Sequence, residues 1–201
     1  MSGRIVSVTM QFSLFGAAAA PPVRADLDGV LLGGGHWVRT AGGARLSVVV
    51  ADRWRAEALH AAFAERDLAD PEPVVDAEGG FGVRTRFSPE LLPDAARWTR
   101  GANEGPPAGF SLSAGGLRLW AVTAGRREDA GYLLGTAEPD DAVHLAAGAQ
   151  LSRLGVTAVS IAQRGGPGWR VTSLKRLRRL VEMLGAPPPG GEQAWPLPLP
   201  G

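Results

Sequence analysis

Apolar positions along this chain fall in short runs whose spacing alternates between helix-like and strand-like, with glycine or proline at the changes. From Asp26, which can cap a helix start, the run LDGVLLGGG over residues 27–35 predicts a short helix through Leu32. HWVRT and ARLSVVVA then read as two strands around the turn Ala41-Gly42-Gly43. In the second of them Leu46, Val48 and Val50 alternate with Arg45, Ser47 and Val49, so one face is apolar. The stretch after Asp52, RWRAEALHAAFAER, carries Trp54, Ala58, Leu59, Ala62 and Phe63 at helical spacing. PEPVVDA and FGVRTRF follow as a hairpin about Glu78-Gly79-Gly80, with Phe81, Val83, Thr85 and Phe87 opposite Arg84 and Arg86. Ser88-Pro89-Glu90 opens a short helix ending near Trp98.

The same order then recurs. GANEGPPAG at 101–109 has a linker's composition, and LRLWAVTAG at 117–125 lies in a helix predicted from about Ser113 to Thr123. Arg126 to Asp129 forms a loop or short strand, Tyr132 to Ala137 a strand, and Pro139-Asp140-Asp141 starts a helix through Leu154 that carries His144. VTAVSIAQ and GWRVTS make a hairpin about Arg164 to Pro167, and Ser173 caps a last helix, SLKRLRRLVEML, that stops at Gly185. Gly34 and Ala124 occupy the same step of the two apolar runs, 90 residues apart. An internal repeat of this kind makes each half α-β-β-α-β-β-α and the fold class α+β. The expected division is 1–21 as an N-terminal segment, 22–100 as the first half, 101–111 as a linker, 112–186 as the second half, and 187–201 as a Pro/Gly-rich tail that docks through Trp195 or stays disordered.

The two glycine-ending runs resemble the signature of the LAGLIDADG homing endonuclease family. LDGVLLGGG keeps Leu27, Gly29 and Gly35 of the nine-letter motif, and its continuation LLGGGHW is similar to the LLGDGH of many single-chain members. LRLWAVTAG is similar to the family's L-x-x-W-x-x-D-D-G, with Leu117, Trp120 and Gly125 retained. The resemblance implies two pseudo-symmetric halves with helices packed on one face of saddle-shaped antiparallel sheets, the motif helices side by side at the centre. Gly29, Gly33 and Ala121 suit that close approach. It also implies that the other face of the sheets lies in the major groove of duplex DNA, where a two-stranded ribbon reaches base edges. The implied DNA-contacting side chains are Arg39, Arg45, Arg84, Arg86, Gln163, Arg164 and Arg170, with Arg126 and Arg127 near the centre. In the family the eighth motif residue is a metal-binding Asp, and here the two positions are Gly34 and Ala124, with Thr123 where the second run would carry an extra Asp. Neither Gly nor Ala coordinates a hard cation through a side chain. The expectation is a nuclease scaffold without metal, cofactor or cleavage.

Composition adds few constraints. The chain has 201 residues, 45% of them apolar, enough for a real core. Cysteine is absent, which excludes a disulfide framework, a thiol nucleophile and a Cys-based zinc site. Net charge is +1, so bulk charge does not announce a nucleic-acid partner. Lys175 is the only lysine; arginine's planar fork suits phosphates and guanine edges, although a GC-rich genome gives the same bias. Lys175, Arg176, Arg178 and Arg179 lie opposite Leu174, Leu177, Val181 and Leu184 on the last helix, a pattern that fits solubility or a backbone contact outside the saddle.

At the N-terminus, Gln11-Phe12-Ser13-Leu14-Phe15 resembles the bacterial sliding-clamp-binding pentapeptide Q-L-[SD]-L-F, with Gln11, Leu14 and Phe15 as the anchors. A strand over Ile5 to Phe15 explains the same residues, and a secretory signal is disfavoured by Gln11 and by Pro21-Pro22 after the alanines. No P-loop, G-x-S-x-G or H-E-x-x-H is present. The reading is a cytoplasmic, nucleoid-associated bacterial DNA-binding protein on a degenerate endonuclease scaffold, brought to replication or repair sites by the clamp. Two alternatives stand beside it: a metal-dependent endonuclease using displaced acids such as Glu128 or Asp129, and an interaction module that has lost DNA.

Overall fold

The computed structural model describes residues 20–72, 74–100, 103–129, 131–137, 141–162 and 166–197. Gln11, Leu14, Phe15, Gln163 and Arg164 lie outside the described residues. The first half runs α1 (Asp28–Leu32), β1 (His36–Thr40), β2 (Gly43–Val50), α2 (Arg53–Ala64), β3 (Val75–Ala77), β4 (Gly80–Arg84) and α3 (Leu92–Trp98). A two-residue hairpin, β5 (Thr99–Arg100) with β6 (Asn103–Glu104), leads onward. The second half is α4 (Ala114–Ala124), β7 (Gly125–Glu128), β8 (Gly131–Gly135), α5 (Ala142–Arg153), β9 (Val159–Ile161), β10 (Gly168–Val171) and α6 (Leu174–Leu184). Both halves build a four-stranded antiparallel sheet with the same strand order, β1-β2-β4-β3 and β7-β8-β10-β9. The α+β repeat expected from the sequence is the architecture found.

Register fixes which side chains face the core. Val48 pairs with Val83 and Val50 with Phe81 on the inner face of the first sheet, leaving Ser47, Val49, Gly82 and Arg84 on the outer face. In the second sheet Tyr132, Leu134 and Val171 are fully buried on the inner face, while Leu133 pairs with Arg126 and Arg170 on the outer one. Among the described residues, helices cover the inner faces and leave the outer faces uncovered.

The halves meet through α1 and α4 at backbone contact. A Cβ on Gly29 would lie 1.8 Å from the Gly116 carbonyl oxygen, and one on Gly33 would lie 2.6 Å from Cγ2 of Thr123. Small residues at these steps let two helices share one core with Leu27, Val30, Leu117 and Trp120, all essentially inaccessible. At the helix starts, the Asp26 carboxylate accepts from Arg66 at 2.6 Å and from the Ser113 hydroxyl at 2.6 Å, tying one half to the other. Beside it, the buried Asp28 carboxylate accepts from Arg97 Nη2 at 2.8 Å and from Trp98 Nε1 at 2.7 Å, fixing α1 to α3.

The tail through Leu197 packs on the helices. Trp195 is 3% exposed, donates to the Gly185 carbonyl and stacks under the Arg118 guanidinium, which itself holds the Leu184 and Ala186 carbonyls. Gly190 and Gly191 lie against Trp54 at the start of α2, so this strap spans elements of both halves. Nor is the segment before α4 loose: Phe110 and Leu112 are buried, and the Gln150 side chain pairs with the Phe110 carbonyl and the Leu112 N–H.

Candidate nucleic-acid interface

The C-terminal ends of α1 and α4, where the two glycine-ending runs stop, are built in different ways. At the end of α1 the Gly34 N–H donates to Leu31 and the Gly35 N–H to Val30. This is a helix-stopping loop in which Gly34 takes the left-handed position, φ +102°. A residue with a side chain rarely adopts that backbone, so position 34 serves as the helix stop.

Ala124 keeps helical geometry as the last residue of α4, and Gly125 leaves extended at φ −80°. No backbone loop satisfies this end; an arginine does. Arg55, on the first turn of α2, sends its guanidinium across the halves to the carbonyls of Val122 at 2.8 Å and Gly125 at 2.7 Å, with Ala121 at 3.5 Å. The side chain is only 8% exposed and is held from behind by Asp52 at 2.8 Å. Asp52 stands at the N-cap position of α2, but its carboxylate makes no cap bond and pairs with Arg55 instead. A fixed cation thus sits against the backbone on either side of residue 124, favourable for the negative end of a helix and repulsive to a second cation.

In the second half Asp141 and His144 occupy the equivalent first turn of α5. Asp141 does cap, accepting from the His144 N–H. His144 is fully buried, stacked on Trp169 at 4.9 Å, with Thr136 Oγ1 and Ser160 Oγ each 2.9 Å from a ring nitrogen. It is a core histidine and reaches neither motif end. An open cleft of about 560 Å³ adjoins Ala124, walled by Asp52, Arg55, Thr123, Arg126, Arg127 and Thr136.

The residues expected to face DNA divide by register. Arg45, Arg84, Arg126 and Arg170 stand on the outer faces. Arg39 pairs with Ala44 and Arg127 with Tyr132, which places both on the core-facing side, exposed at the rim of an edge strand. Arg86 lies past the end of β4 and donates to the Asp67 carbonyl. Those on the outer faces are held in place. Arg84 binds Asp70 at 3.2 Å and Glu72 at 2.7 Å; Glu128 binds Arg170 at 2.7 Å and Arg126 at 3.2 Å, over the buried Leu133. Arg45 lies on the ring of Phe87, 4.6 Å from its centroid. Carboxylates in Asp70, Glu72 and Glu128 thus temper a surface whose cations alone were evident from the sequence. Among the described residues no group of three or more His, Asp or Glu side chains comes together in a metal-binding arrangement, and no helix is long and apolar enough to cross a membrane.

No protein-family model matches the chain, and a search of curated proteins finds no relative. Among solved structures it is similar to the homing endonuclease I-WcaI bound to its DNA recognition sequence, with a TM-score of 0.59 over 83% of this chain and 83% of that one, at 10% sequence identity. At that identity the likeness is one of fold. Two α+β halves, each with a four-stranded antiparallel sheet, make a homing-endonuclease-like scaffold.

Proposed function

We propose that this protein binds duplex DNA across the outer faces of its two sheets and does not cleave it. I-WcaI, of the same fold, is solved on its DNA recognition sequence, and the partner carries over as part of this proposal. The observation that carries the loss of cleavage is the pair of helix ends: a left-handed glycine at 34, and at 124 an alanine beside the Arg55 guanidinium. Displaced catalysis is disfavoured by the same kind of contact. Glu128 is shared by two guanidiniums, which a divalent metal would have to displace. The test is fluorescence anisotropy of a labelled mixed-sequence duplex, with the products run on a denaturing gel after incubation with and without Mg²⁺. Retained, uncut DNA is the expected result; Mg²⁺-dependent nicks lost in Glu128→Ala or Asp129→Ala would establish the enzyme instead.

Recruitment by a sliding clamp is the finer part of this proposal and rests on Gln11, Leu14 and Phe15. Clamp binding that survives their triple replacement by Ala removes it.

A second reading has its own observation. The outer-face arginines 84, 126 and 170 are each paired with a carboxylate, and Val49 and Val75, flanking Gly82 on the outer face of the first sheet, are 51% and 40% exposed. A neutralised face with exposed apolar side chains also suits a protein partner. Under that reading no duplex is retained even at low salt, while a protein is recovered on pull-down whose binding is lost in Val49→Glu.

A further inference from the structure

The densest run of basic residues in the sequence, at 175–179, lies on the helix side. Helix α6 turns Leu180, Met183 and Leu184 into the core and tucks Leu177 beside them. Lys175, Arg176 and Arg178 are exposed on its other side, with Arg179 partly so. Four cations within a five-residue stretch are a large share of this chain's charge: taking them from its 21 leaves 17 against 20 carboxylates elsewhere. Arg179 meets Glu182 at 3.9 Å, both side chains well exposed, a loose pair of little weight. Among the described residues neither Lys175 nor Arg176 makes an ion pair. The contrast is with the outer sheet faces, where arginines 84, 126 and 170 each have a carboxylate at 2.7–3.2 Å.

Arg127 extends this surface. Its register turns it away from the outer face, and a cleft of about 310 Å³ runs from Arg127 and Asp129 to Leu174 and Leu177 at the first turn of α6.

We infer that the exposed face of α6, with Arg127 at its margin, is a second polyanion contact that takes the phosphate backbone of duplex nucleic acid, separate from the outer sheet faces. Three of its four helix cations are arginines, whose forked donors match phosphate oxygens. A lipid surface fits less well: an interfacial helix needs its apolar face free, and here that face is in the core, with Leu174 alone strongly exposed at 62%. Since α6 packs on α4, which itself lies on the inner side of the second sheet, a duplex held here lies on the helix side of the molecule, away from one held by the outer faces. One molecule can then bridge two duplex segments.

The deciding experiment uses the full chain and a mixed-sequence duplex, with binding followed as a function of salt. Lys175→Glu/Arg176→Glu is compared with wild type and with the outer-face variant Arg126→Gln/Arg170→Gln; Lys175→Ala/Arg176→Ala guards against a general effect of added negative charge. Loss of two phosphate contacts lowers the slope of log K against log salt by about 1.8, equally for every sequence tested. In parallel, duplex-coated beads are asked to retain a second labelled duplex through the protein. Wild type bridging and both α6 variants failing to bridge is the expected result. An unchanged slope and unchanged bridging in both α6 variants overturns the inference while leaving outer-face binding intact. Anionic vesicles bound by wild type and lost in the α6 variants, with duplex binding unaltered, overturns it in favour of lipid. Duplex binding that persists in the outer-face variant and fails in the α6 variants keeps this contact and removes the proposed one on the sheets.

Discussion

Arg55 is the residue on which the centre of the molecule depends. Three carbonyls at the end of α4 face it, and a helix end buried without donors is costly. Arg55→Met keeps much of the stem's packing but removes the donors to the Val122 and Gly125 carbonyls, while Ala121 keeps the Gly125 N–H, and it leaves Asp52 without its cation. We expect a loss of about 3 kcal/mol, since hydrogen bonds to charged groups are worth roughly 1.5–3 kcal/mol each and are not additive. Urea unfolding checks this, through a lower midpoint at unchanged slope. Arg55→Lys should recover only part of it, because an ammonium cannot span the Val122 and Gly125 carbonyls with a fork. A variant as stable as wild type would show that water serves this helix end equally well. Nothing local in RWRAEALHAAFAER marks Arg55 for this role. It reads as a first-turn surface arginine, because its partners lie 66–70 residues along the chain. The family resemblance drew attention to Gly34, but only the backbone angle reveals it as a helix stop.

Between elements, close approach of α1 and α4 and the fixing of α1 to α3 each give a measurable consequence. Gly29→Ala would place its methyl 1.8 Å from the Gly116 oxygen, a backbone atom that cannot swing aside. Such overpacking is expected to cost about 3 kcal/mol or more by thermal or urea unfolding. Gly42→Ala, in the β1–β2 turn with nothing within 4 Å, should leave stability unchanged or slightly raised. Equal effects at the two sites would mean that the motif helices are not in backbone contact. Asp28 gives a pH signature. Burial raises its pKa above the ordinary 3.8, against the opposing pull of Arg97 and Trp98. The folded state therefore binds the proton more tightly than the unfolded chain, and Asp28's contribution to stability falls as pH rises from about 3.8 through the raised value. Wild type minus Asp28→Asn in unfolding free energy should accordingly be largest near pH 4 and decline toward neutrality. A difference that grows with pH would mean that the Arg97 ion pair, not burial, dominates. The close approach at Gly29 and Gly33 was readable only through the family resemblance, which implies two helices side by side, a packing that small residues permit. Which face Arg39 and Arg127 take was not, since strand register is set by the pairing partner and a one-residue change reverses every side chain.

At the scale of the molecule, the repeat in the sequence produces two halves, yet the physics joins them into one cooperative unit. The α1–α4 contact, the Asp26–Ser113 hydrogen bond, Arg55 on the end of α4 and the tail against Trp54 all cross from one half to the other. Neither half has a core that closes without the partner's motif helix, because Leu27, Val30, Leu117 and Trp120 belong to one apolar cluster. The repeat was visible from two glycine-ending runs, but this mutual dependence was not. Trp195 marks the proline-rich tail as able to dock but not where, and Asp26 before a short helix carries no local sign of its partners Arg66 and Ser113. Unfolding followed by tryptophan fluorescence and by far-UV circular dichroism should therefore give coincident transitions, as expected of a single two-state unit. The six tryptophans sample both halves, so separate melting would be seen. A protease site introduced at the junction between β6 and Phe110 tests the same point without denaturant. After cutting, the halves should co-elute as one species at the mass of the intact chain, and should separate when the cut is combined with Gly29→Ala. Halves that part on cutting alone would mean that the linker, not the shared helix interface, holds the scaffold together, and the outer sheet faces would then have no fixed relation with which to grip one duplex.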